Sequence, residues 1–257
     1  MNYIFDVDGT LTPARRQMDL SFEAWFIIFE CKHPVYLVTG SDRQKTIDQV
    51  GLDVYNRAKR VYNCSGSDVW EGDRNVYRDD WKLPHDANAW LMLELKQSNF
   101  TIRTGTHIER RPGCVNFSIL GRGANFEERE VYKQWDKDEN ERHQIARRFN
   151  REFPDLYATV GGETGLDIAP QGRDKSQILR DFDGDIKFFG DKMEKGGNDF
   201  LLAQTIREKK LGATYYVFDY KHTWEILQYE NKGNFILMVA PLHLVKECQQ
   251  IKDGVTL

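Results

Sequence analysis

Short apolar runs alternate with helical patterns near both ends of the chain. The runs that predict strands lie at residues 3–5, 35–38, 186–189 and 214–218. Apolar residues at helical spacing predict helices over residues 13–29, 42–50, 174–182, 197–208 and 223–228. Strands that alternate with helices in this way are typical of an α/β domain. The two ends of the chain are therefore predicted to form one doubly wound parallel sheet.

The pattern changes in the middle of the chain, where alternating apolar and polar positions are typical of antiparallel strands. These strands are predicted over residues 106–110, 114–120, 156–160 and 166–168. A long charged stretch over residues 125–153 has helical periodicity. Strands and helices of this kind between two parallel halves predict an inserted α+β domain. We expect residues 1–82 and 171–257 to form the core and residues 83–170 to form the insertion.

Composition excludes several classes of function. The 257 residues carry a formal net charge of -4, without the basic surplus typical of nucleic-acid-binding proteins. Two acidic residues, Asp6 and Asp8, interrupt the N-terminus where a secretion signal would be apolar. The apolar residues 235–245 are too short a stretch to span a bilayer, and they include Pro241. The four cysteines lack metal-ligand spacing, which is typical of reduced thiols. We expect a cytoplasmic protein with no nucleic-acid or membrane partner.

The first predicted strand ends in a pair of acidic residues. In MNYIFDVDGTLT, Asp6 and Asp8 are two positions apart, so their side chains would share one face of a continued strand. Gly9 ends the strand and leaves both acids at the carboxyl edge of the sheet, where open α/β sheets bind ligands. A simpler interpretation is a turn, because Asp-Gly is a common turn signal. The complete string of apolar residues followed by Asp-x-Asp-Gly-Thr, however, resembles the first motif of the haloacid dehalogenase superfamily of phosphotransferases.

Downstream residues can complete a phosphoryl-transfer site around these acids. Lys175 begins a predicted helix, and Asp191 follows the strand FFG, shortly before a Gly-Gly-Asn-Asp run that starts the next helix. Mg²⁺ prefers hard oxygen ligands, so we predict a magnesium site formed by Asp6, Asp8 and Asp191. Lys175 would keep Asp6 ionised and stabilise the transferring phosphoryl group. In this hypothesis Asp6 is the nucleophile, which forms an aspartyl phosphate, and Asp8 is the general acid and base.

The second predicted strand ends in Thr-Gly-Ser. A hydroxyl group of Thr39 or Ser41 can donate a hydrogen bond to a phosphoryl oxygen, although a cap of the next helix is an alternative role. Asp42 is better explained as such a cap.

Two other acidic patterns are expected to be structural. Phe-Asp-Gly-Asp at residues 182–185 follows a predicted helix and precedes a strand, so it is interpreted as a connecting turn. Asp136, Asp138 and Asn140 imitate the spacing of a calcium loop, but they lack its glycine and lie in a helical stretch.

Several longer segments resemble one family within this superfamily. From Phe5 to Phe200 they are, in order, FDVDGTLTPAR, GSD after a strand, IERRPGCVNFSILGR followed by FEER, GLDIAPQGRDK and FFGDKMEKGGNDF. In this order they are similar to the eukaryotic-type α-phosphomannomutases. The resemblance implies a Rossmann-like core with an inserted cap domain. It also implies Mg²⁺-dependent interconversion of mannose or glucose 6-phosphate and 1-phosphate through a hexose 1,6-bisphosphate, and a homodimer formed through the cap.

The resemblance also selects the residues that bind the substrate. In that family, an arginine after the first motif and three cap arginines bind the sugar phosphates. By position, these arginines are Arg15, Arg111, Arg122 and Arg129. Asp167 matches an aspartate that hydrogen-bonds the substrate. Arginine suits this role because a guanidinium group can bind a phosphate through two parallel hydrogen bonds.

Three departures from the family pattern keep other activities open. Gly165 stands where the family usually has serine, Thr205 stands where an acidic ligand of a second cation is expected, and the segment after Gln228 does not align. A sugar-phosphate phosphatase is therefore the alternative hypothesis, since mutase and phosphatase differ only in whether sugar or water attacks the aspartyl phosphate. A catalytically silent sugar-phosphate-binding protein is a third hypothesis, which the intact acids and lysine of the core oppose.

Overall fold

The chain folds into two units, and a computed structural model describes residues 1–231 of it. Among the described residues, the core unit contains Met1–Tyr77 and residues 174–231, and the cap unit contains Arg78–Arg173. The borders expected from the sequence are at residues 82 and 171. The apolar stretch at residues 235–245 and Cys248 lie outside the described residues. Within residues 1–231, no helix is long and apolar enough to cross a membrane.

Residues 1–231 contain eleven strands and eight α-helices, which are numbered in chain order. The strands are β1 (Asn2–Asp6), β2 (Val35–Val38), β3 (Arg60–Asn63), β4 (Asp68–Glu71), β5 (Arg74–Arg78), β6 (Ile108–Arg111), β7 (Cys114–Phe117), β8 (Leu156–Gly161), β9 (Gly165–Pro170), β10 (Ile186–Gly190) and β11 (Gly212–Tyr216). The α-helices are α1 (Leu20–Lys32), α2 (Arg43–Val50), α3 (Leu52–Arg57), α4 (His85–Gln97), α5 (Phe126–Glu139), α6 (Glu141–Glu152), α7 (Phe200–Glu208) and α8 (Tyr220–Glu230). Short 3₁₀ helices cover Cys64–Gly66 and Lys175–Asp181.

The core unit is built on a seven-stranded sheet with the order β11-β10-β1-β2-β3-β4-β5. The strands from β11 to β3 are parallel, whereas β4 runs antiparallel to β3. Alternation along β1 sends Phe5 to one face of the sheet and Ile4 to the other. Each residue joins a buried apolar cluster, with Phe189 on the first face and Phe188 on the second. Burial on both faces explains the continuous apolar runs, and the predicted doubly wound parallel sheet is confirmed.

The cap unit is a four-stranded antiparallel sheet with the order β6-β7-β9-β8. One face is apolar: Phe117 of β7 and Ile168 of β9 join a buried cluster that includes Phe149 of α6. The alternate positions place polar side chains on the other face. There, the register pairs Asn116 with Glu109 on β6 and with Asp167 on β9. The two faces of this sheet therefore have different chemistry.

The helix predicted from residue 13 begins later, at Leu20. The carboxylate of Asp19 accepts hydrogen bonds from the backbone N–H groups of Ser21 at 3.0 Å and Phe22 at 3.1 Å, which caps α1. The preceding residues form a turn in which the Arg16 N–H donates to the Pro13 carbonyl oxygen at 3.0 Å. The prediction took Pro13 as the helix start, but the proline serves a turn equally well.

The helical stretch predicted over residues 125–153 consists of two helices, α5 and α6, which meet at Asn140. Asn140 has a φ of 55°, a left-handed conformation that asparagine tolerates better than most residues. The Asp136 carboxylate accepts hydrogen bonds from the backbone N and the Nε of Arg142, at 2.9 Å and 2.8 Å. The acidic pattern that imitates a calcium loop therefore joins two helices, and Asp136 has a structural role.

Candidate active site

Two neighbouring parallel strands bring acidic residues to the same edge of the core sheet. Asp6 is the last residue of β1, and Asp191 directly follows β10. The two strands are neighbours, and their register pairs Phe5 with Phe189. Because the strands are parallel, their carboxyl ends meet at one edge, which is where ligands bind in open α/β sheets. The sequence motifs at residues 6 and 191 are therefore neighbours in space.

A buried lysine joins these acids to a third one. Lys175, at the start of a 3₁₀ helix, is 1% exposed, and its Nζ contacts Asp6 Oδ1. The same Nζ lies 2.7 Å from Oδ1 of Asp199, which is fully buried and directly precedes α7. Carboxylate oxygens of Asp6, Asp191 and Asp199 all lie within 4.8 Å of one another. The core unit thus holds three carboxylates and one ammonium group in a compact cluster.

Burial and the neighbouring opposite charge shift the pKa values of Asp6 and Lys175 in opposite directions. Burial raises the pKa of Asp6 to about 7, Lys175 opposes the rise, and Asp199 adds to it. Burial lowers the pKa of Lys175, but Asp199 and Asp6 outweigh this effect and raise it above the ordinary value. Burial is also the largest cause that raises the pKa of Asp191. Lys175 is therefore firmly protonated, and the cluster favours further positive charge.

Two oxygens of the cluster have no hydrogen-bond partner. They are Asp6 Oδ2 and Asp191 Oδ1, and both are buried. A buried carboxylate oxygen without a donor is costly, and a bound cation would remove that cost. The donor set consists only of carboxylate oxygens, which are the ligands that Mg²⁺ prefers. These residues therefore fit a divalent cation.

Gly9 leaves space for the carboxylate of Asp191 beside the turn of the first motif. Its φ is 93°, and a Cβ atom there would lie 2.3 Å from Asp191 Oδ2. Any larger residue would strain the turn and displace the Asp191 carboxylate. The glycine of the first motif is thus explained by a close approach as well as by a turn.

The carboxylate cluster includes Asp199, whereas the sequence had suggested Asp8. Asp8 Oδ1 accepts hydrogen bonds from Gln49 Nε2 at 3.1 Å and from the backbone N of Arg15. Sequence reasoning noted the Gly-Gly-Asn-Asp run only as a helix start and missed Asp199. The sequence signal that could have found Asp199 is a second acidic residue in the connection that leads from Asp191, after β10, to the start of α7.

The predicted hydroxyl residues follow β2, which is the other neighbour of β1 in the sheet. Thr39 is buried, and its Oγ1 accepts a hydrogen bond from the Ser41 backbone N at 3.1 Å. Asp42 caps α2 by accepting from the Lys45 backbone N at 2.9 Å, which confirms its structural interpretation. Arg15 is exposed and has a φ of 59°, in the turn that follows the first motif.

In the cap unit, two of the predicted arginines meet at one carboxylate. Glu109 Oε2 lies 2.9 Å from Arg111 Nη2 and 2.8 Å from Arg122 Nε. Arg111 Nη1 is 3.7 Å from Asp167 Oδ1, and that oxygen accepts a hydrogen bond from Asn116 Nδ2 at 2.7 Å. These residues form a charged cluster on the polar face of the cap sheet.

The third cap arginine has a local backbone contact. Arg129 lies on α5, and its Nε donates to the Ala124 carbonyl oxygen at 3.2 Å. The structure therefore brings Arg111, Arg122 and Asp167 together, and it places Arg129 at the beginning of the helix that follows them.

Comparisons with known proteins show which proteins this chain resembles. The family of eukaryotic phosphomannomutases matches residues 24–223. A phosphomannomutase of Saccharomyces cerevisiae is 31% identical over 211 residues, which covers 77% of this chain and 83% of the relative. One of Arabidopsis thaliana is 33% identical over 216 residues, covering 79% and 86%.

Solved structures share the fold at low sequence identity. A haloacid dehalogenase-like hydrolase from Bacteroides thetaiotaomicron has a TM-score of 0.56 at 12% identity, covering 89% of this chain and 98% of the other. A trehalose-6-phosphate phosphatase related protein has a TM-score of 0.52 at 18% identity, covering 90% and 97%. These likenesses show a haloacid dehalogenase-like fold. The match over residues 24–223 and the relatives above 30% identity establish that the chain belongs to the eukaryotic phosphomannomutase family.

Proposed function

We propose that this chain is an Mg²⁺-dependent phosphomannomutase, which interconverts hexose 6-phosphate and hexose 1-phosphate. The observation that supports this most strongly is the contact of buried Lys175 with both Asp6 and Asp199, next to Asp191. A chain that retains this cluster, in a family of phosphomannomutases, has the groups that phosphoryl transfer requires.

In the proposed reaction, Asp6 is the nucleophile. A carboxylate oxygen of Asp6 attacks one phosphorus of hexose 1,6-bisphosphate, the bond between that phosphorus and the sugar oxygen breaks, and the departing oxygen takes a proton from Asp8, which leaves a hexose monophosphate. In the return step, a hexose monophosphate bound in the opposite orientation gives the proton of its free hydroxyl to Asp8, its oxygen attacks the phosphorus on Asp6, and the bond between Asp6 and phosphorus breaks to form the bisphosphate again. Gln49 and the Arg15 N–H hold Oδ1 of Asp8, so we assign proton transfer to Oδ2.

Charge neutralisation is shared by the protein and the cation. Bound to Asp6, Asp191 and Asp199, Mg²⁺ would offset the negative charge of the phosphoryl group. Lys175 keeps a fixed positive charge beside Asp6, because two carboxylates raise its pKa. Thr39 and Ser41, after β2, are proposed donors to the phosphoryl oxygens.

The cap residues are proposed to bind the substrate. Arg111, Arg122 and Arg129 would hold the phosphate that is not transferred, and Arg15 would contribute from the core unit. Asp167 would accept a hydrogen bond from a sugar hydroxyl. The substrates are hexose phosphates, namely mannose or glucose 1- and 6-phosphate with the 1,6-bisphosphate as intermediate.

One feature of the cap favours the phosphatase alternative. Gly165 offers no side chain next to Asp167, and a Cβ atom there would lie 2.8 Å from both Nδ2 and Oδ1 of Asn116. The Asn116 amide therefore fills the space that a side chain would occupy. A sugar bound with fewer contacts would align its second hydroxyl less well, which favours attack by water.

An assay that measures two products separates these activities. The full chain with Mg²⁺ is given mannose 1-phosphate or glucose 1-phosphate, with and without hexose 1,6-bisphosphate, and both hexose 6-phosphate and inorganic phosphate are measured. We expect hexose 6-phosphate as the main product and stimulation by the bisphosphate. Release of inorganic phosphate without isomerisation in the primed reaction would overturn the mutase assignment and support the phosphatase. A chelator should abolish either activity, and added Mg²⁺ should restore it.

A further inference from the structure

Glu109 lies between two arginines that the proposed function uses, yet neither sequence reasoning nor the family match gives it a role. Its Oε2 accepts a hydrogen bond from Arg111 Nη2 at 2.9 Å and forms an ion pair with Arg122 Nε at 2.8 Å. One oxygen atom thus contacts both guanidinium groups. We propose that Glu109 is a positioning residue, which holds Arg111 and Arg122 at a spacing that allows both to bind one phosphate group.

The two arginines need such a partner because their charges repel each other. Arg111 lies on β6, whereas Arg122 follows β7 and is about a third exposed. An exposed arginine without a partner loses considerable side-chain entropy when it is fixed in one rotamer. A shared carboxylate offsets both the repulsion and part of this ordering cost before the substrate arrives.

The contacts leave most donors of both arginines available. Each guanidinium has five N–H donors, and Glu109 contacts only one nitrogen of each. Arg111 Nε is buried and has no hydrogen-bond partner. Two arginines and one glutamate carry a net charge of about +1, which Asp167, 3.7 Å from Arg111 Nη1, offsets. These properties are those of a positioning residue, whereas a carboxylate that blocked the site would occupy more of the donors.

The backbone fixes Glu109 relative to the rest of the cluster. Glu109 and Arg111 are two positions apart on β6, so they lie on the same face of the sheet. Register pairs Glu109 with Asn116, and Asn116 with Asp167. The side chain of Asn116 is buried and donates to Asp167 at 2.7 Å. The glutamate therefore belongs to an ordered polar row across three strands.

The test compares Glu109→Ala with a matched control, using the full chain. Glu94→Gln is the control, because Glu94 forms an ion pair with Arg148 between α4 and α6 of the same unit. We expect Glu109→Ala to raise the KM for hexose 1-phosphate about fivefold to tenfold while kcat changes by less than about threefold. Glu109→Gln keeps an oxygen acceptor and should recover part of the loss. Glu94→Gln should leave both constants unchanged.

A double-mutant cycle separates positioning from a merely structural role. If Glu109 acts through Arg111, the substitution Glu109→Ala should weaken substrate binding far less in the Arg111→Ala variant than in the wild-type chain. Equal effects in the two backgrounds, or an unchanged or lower KM for Glu109→Ala, would overturn the proposal. If Glu109→Ala does not fold, as judged by thermal unfolding, Glu109→Gln carries the same comparison.

The proposal rests on the proposed function, and a binding measurement distinguishes their failures. Inorganic phosphate serves as the probe in calorimetry, where no turnover is needed. If the wild-type chain binds phosphate more tightly than Glu109→Ala but does not interconvert hexose phosphates, the proposed function fails and the role of Glu109 stands. If both chains bind phosphate equally, the role of Glu109 is wrong whatever the activity.

Discussion

The charged clusters of the two units differ in burial and in the group at their centre. In the core unit, Lys175, Asp6 and Asp199 are each at most 2% exposed, and the carboxylates lie around one ammonium group. In the cap unit, Arg111, Arg122 and Glu109 are partly exposed, and both guanidinium groups contact the carboxylate of Glu109, with Asp167 beside Arg111. The core cluster is therefore centred on a cation and the cap cluster on an anion.

This difference indicates how the work of the protein is divided. Buried charges interact strongly and cannot relax into water, so their geometry is fixed before the reaction and acts on the transition state. Exposed charges are screened, and each pair contributes less. We therefore expect changes in the core cluster to lower kcat and changes in the cap cluster to raise KM. The predictions below test this division, beginning with the largest expected effect.

Asp6→Asn should lower kcat by at least about four orders of magnitude, because an amide cannot form the acyl phosphate. The fold should survive, since Lys175 keeps Asp199 as its partner. Steady-state kinetics and far-ultraviolet circular dichroism check the two statements. If Asp6→Asn retained more than a few per cent of the wild-type rate, Asp6 would not be the nucleophile.

Asp199→Asn should lower kcat about 10- to 100-fold and raise the Mg²⁺ concentration needed for half-maximal rate, because it removes one carboxylate and a charged partner of Lys175. The matched control is Asp183→Asn, because Asp183 is an exposed residue of the segment before β10. Magnesium titrations of both variants give the comparison. Equal behaviour of the two variants would remove Asp199 from the site.

Arg111→Ala should raise the KM for hexose phosphate about 10- to 100-fold and leave kcat within about fivefold, because it removes a charged donor that acts in binding. Arg148→Ala is the control, since Arg148 is an arginine of the same unit paired with Glu94. If Arg111→Ala lowered kcat as much as Asp199→Asn does, the proposed division between the units would be wrong.

Tyr132→Phe should change the free energy of unfolding by less than about 1 kcal/mol and leave the activity unaltered. The Tyr132 hydroxyl is buried without a hydrogen-bond partner, as are the unpartnered oxygens of Asp6 and Asp191. Tyr132, however, belongs to the apolar cluster of the cap unit and packs beside Phe100. Denaturant unfolding checks the stability. A large loss of activity would mean that this hydroxyl also contacts a ligand.

Sequence alone placed Asp6 and Asp191 at one edge of the sheet because both residues end regular elements. Asp6 ends an apolar strand, Asp191 follows another, and parallel strands bring such ends together. The metal role of Asp8 stays a prediction, because periodicity shows which residues share an edge but does not show which carboxylate turns inward. Asp199 was missed for the same reason, since it lies in an irregular connection where no periodic pattern fixes its position.

Much less of the cap cluster could be predicted from the sequence. Antiparallel alternation predicted the strands, but the cap has many arginines, and only the family resemblance selected Arg111 and Arg122. The Glu109 bridge depends on side-chain rotamers, which no sequence pattern encodes. The break at Asn140 was missed because both flanking segments have helical periodicity, and one left-handed residue leaves no trace in that pattern.

The central claim is that the phosphoryl group on Asp6 returns to sugar. The most direct measurement is turnover of mannose 1-phosphate, primed with hexose 1,6-bisphosphate, in water labelled with heavy oxygen. We predict that mannose 6-phosphate accumulates while labelled inorganic phosphate stays at the level of the Asp6→Asn control. Labelled inorganic phosphate as the main product, with no mannose 6-phosphate, would contradict the claim.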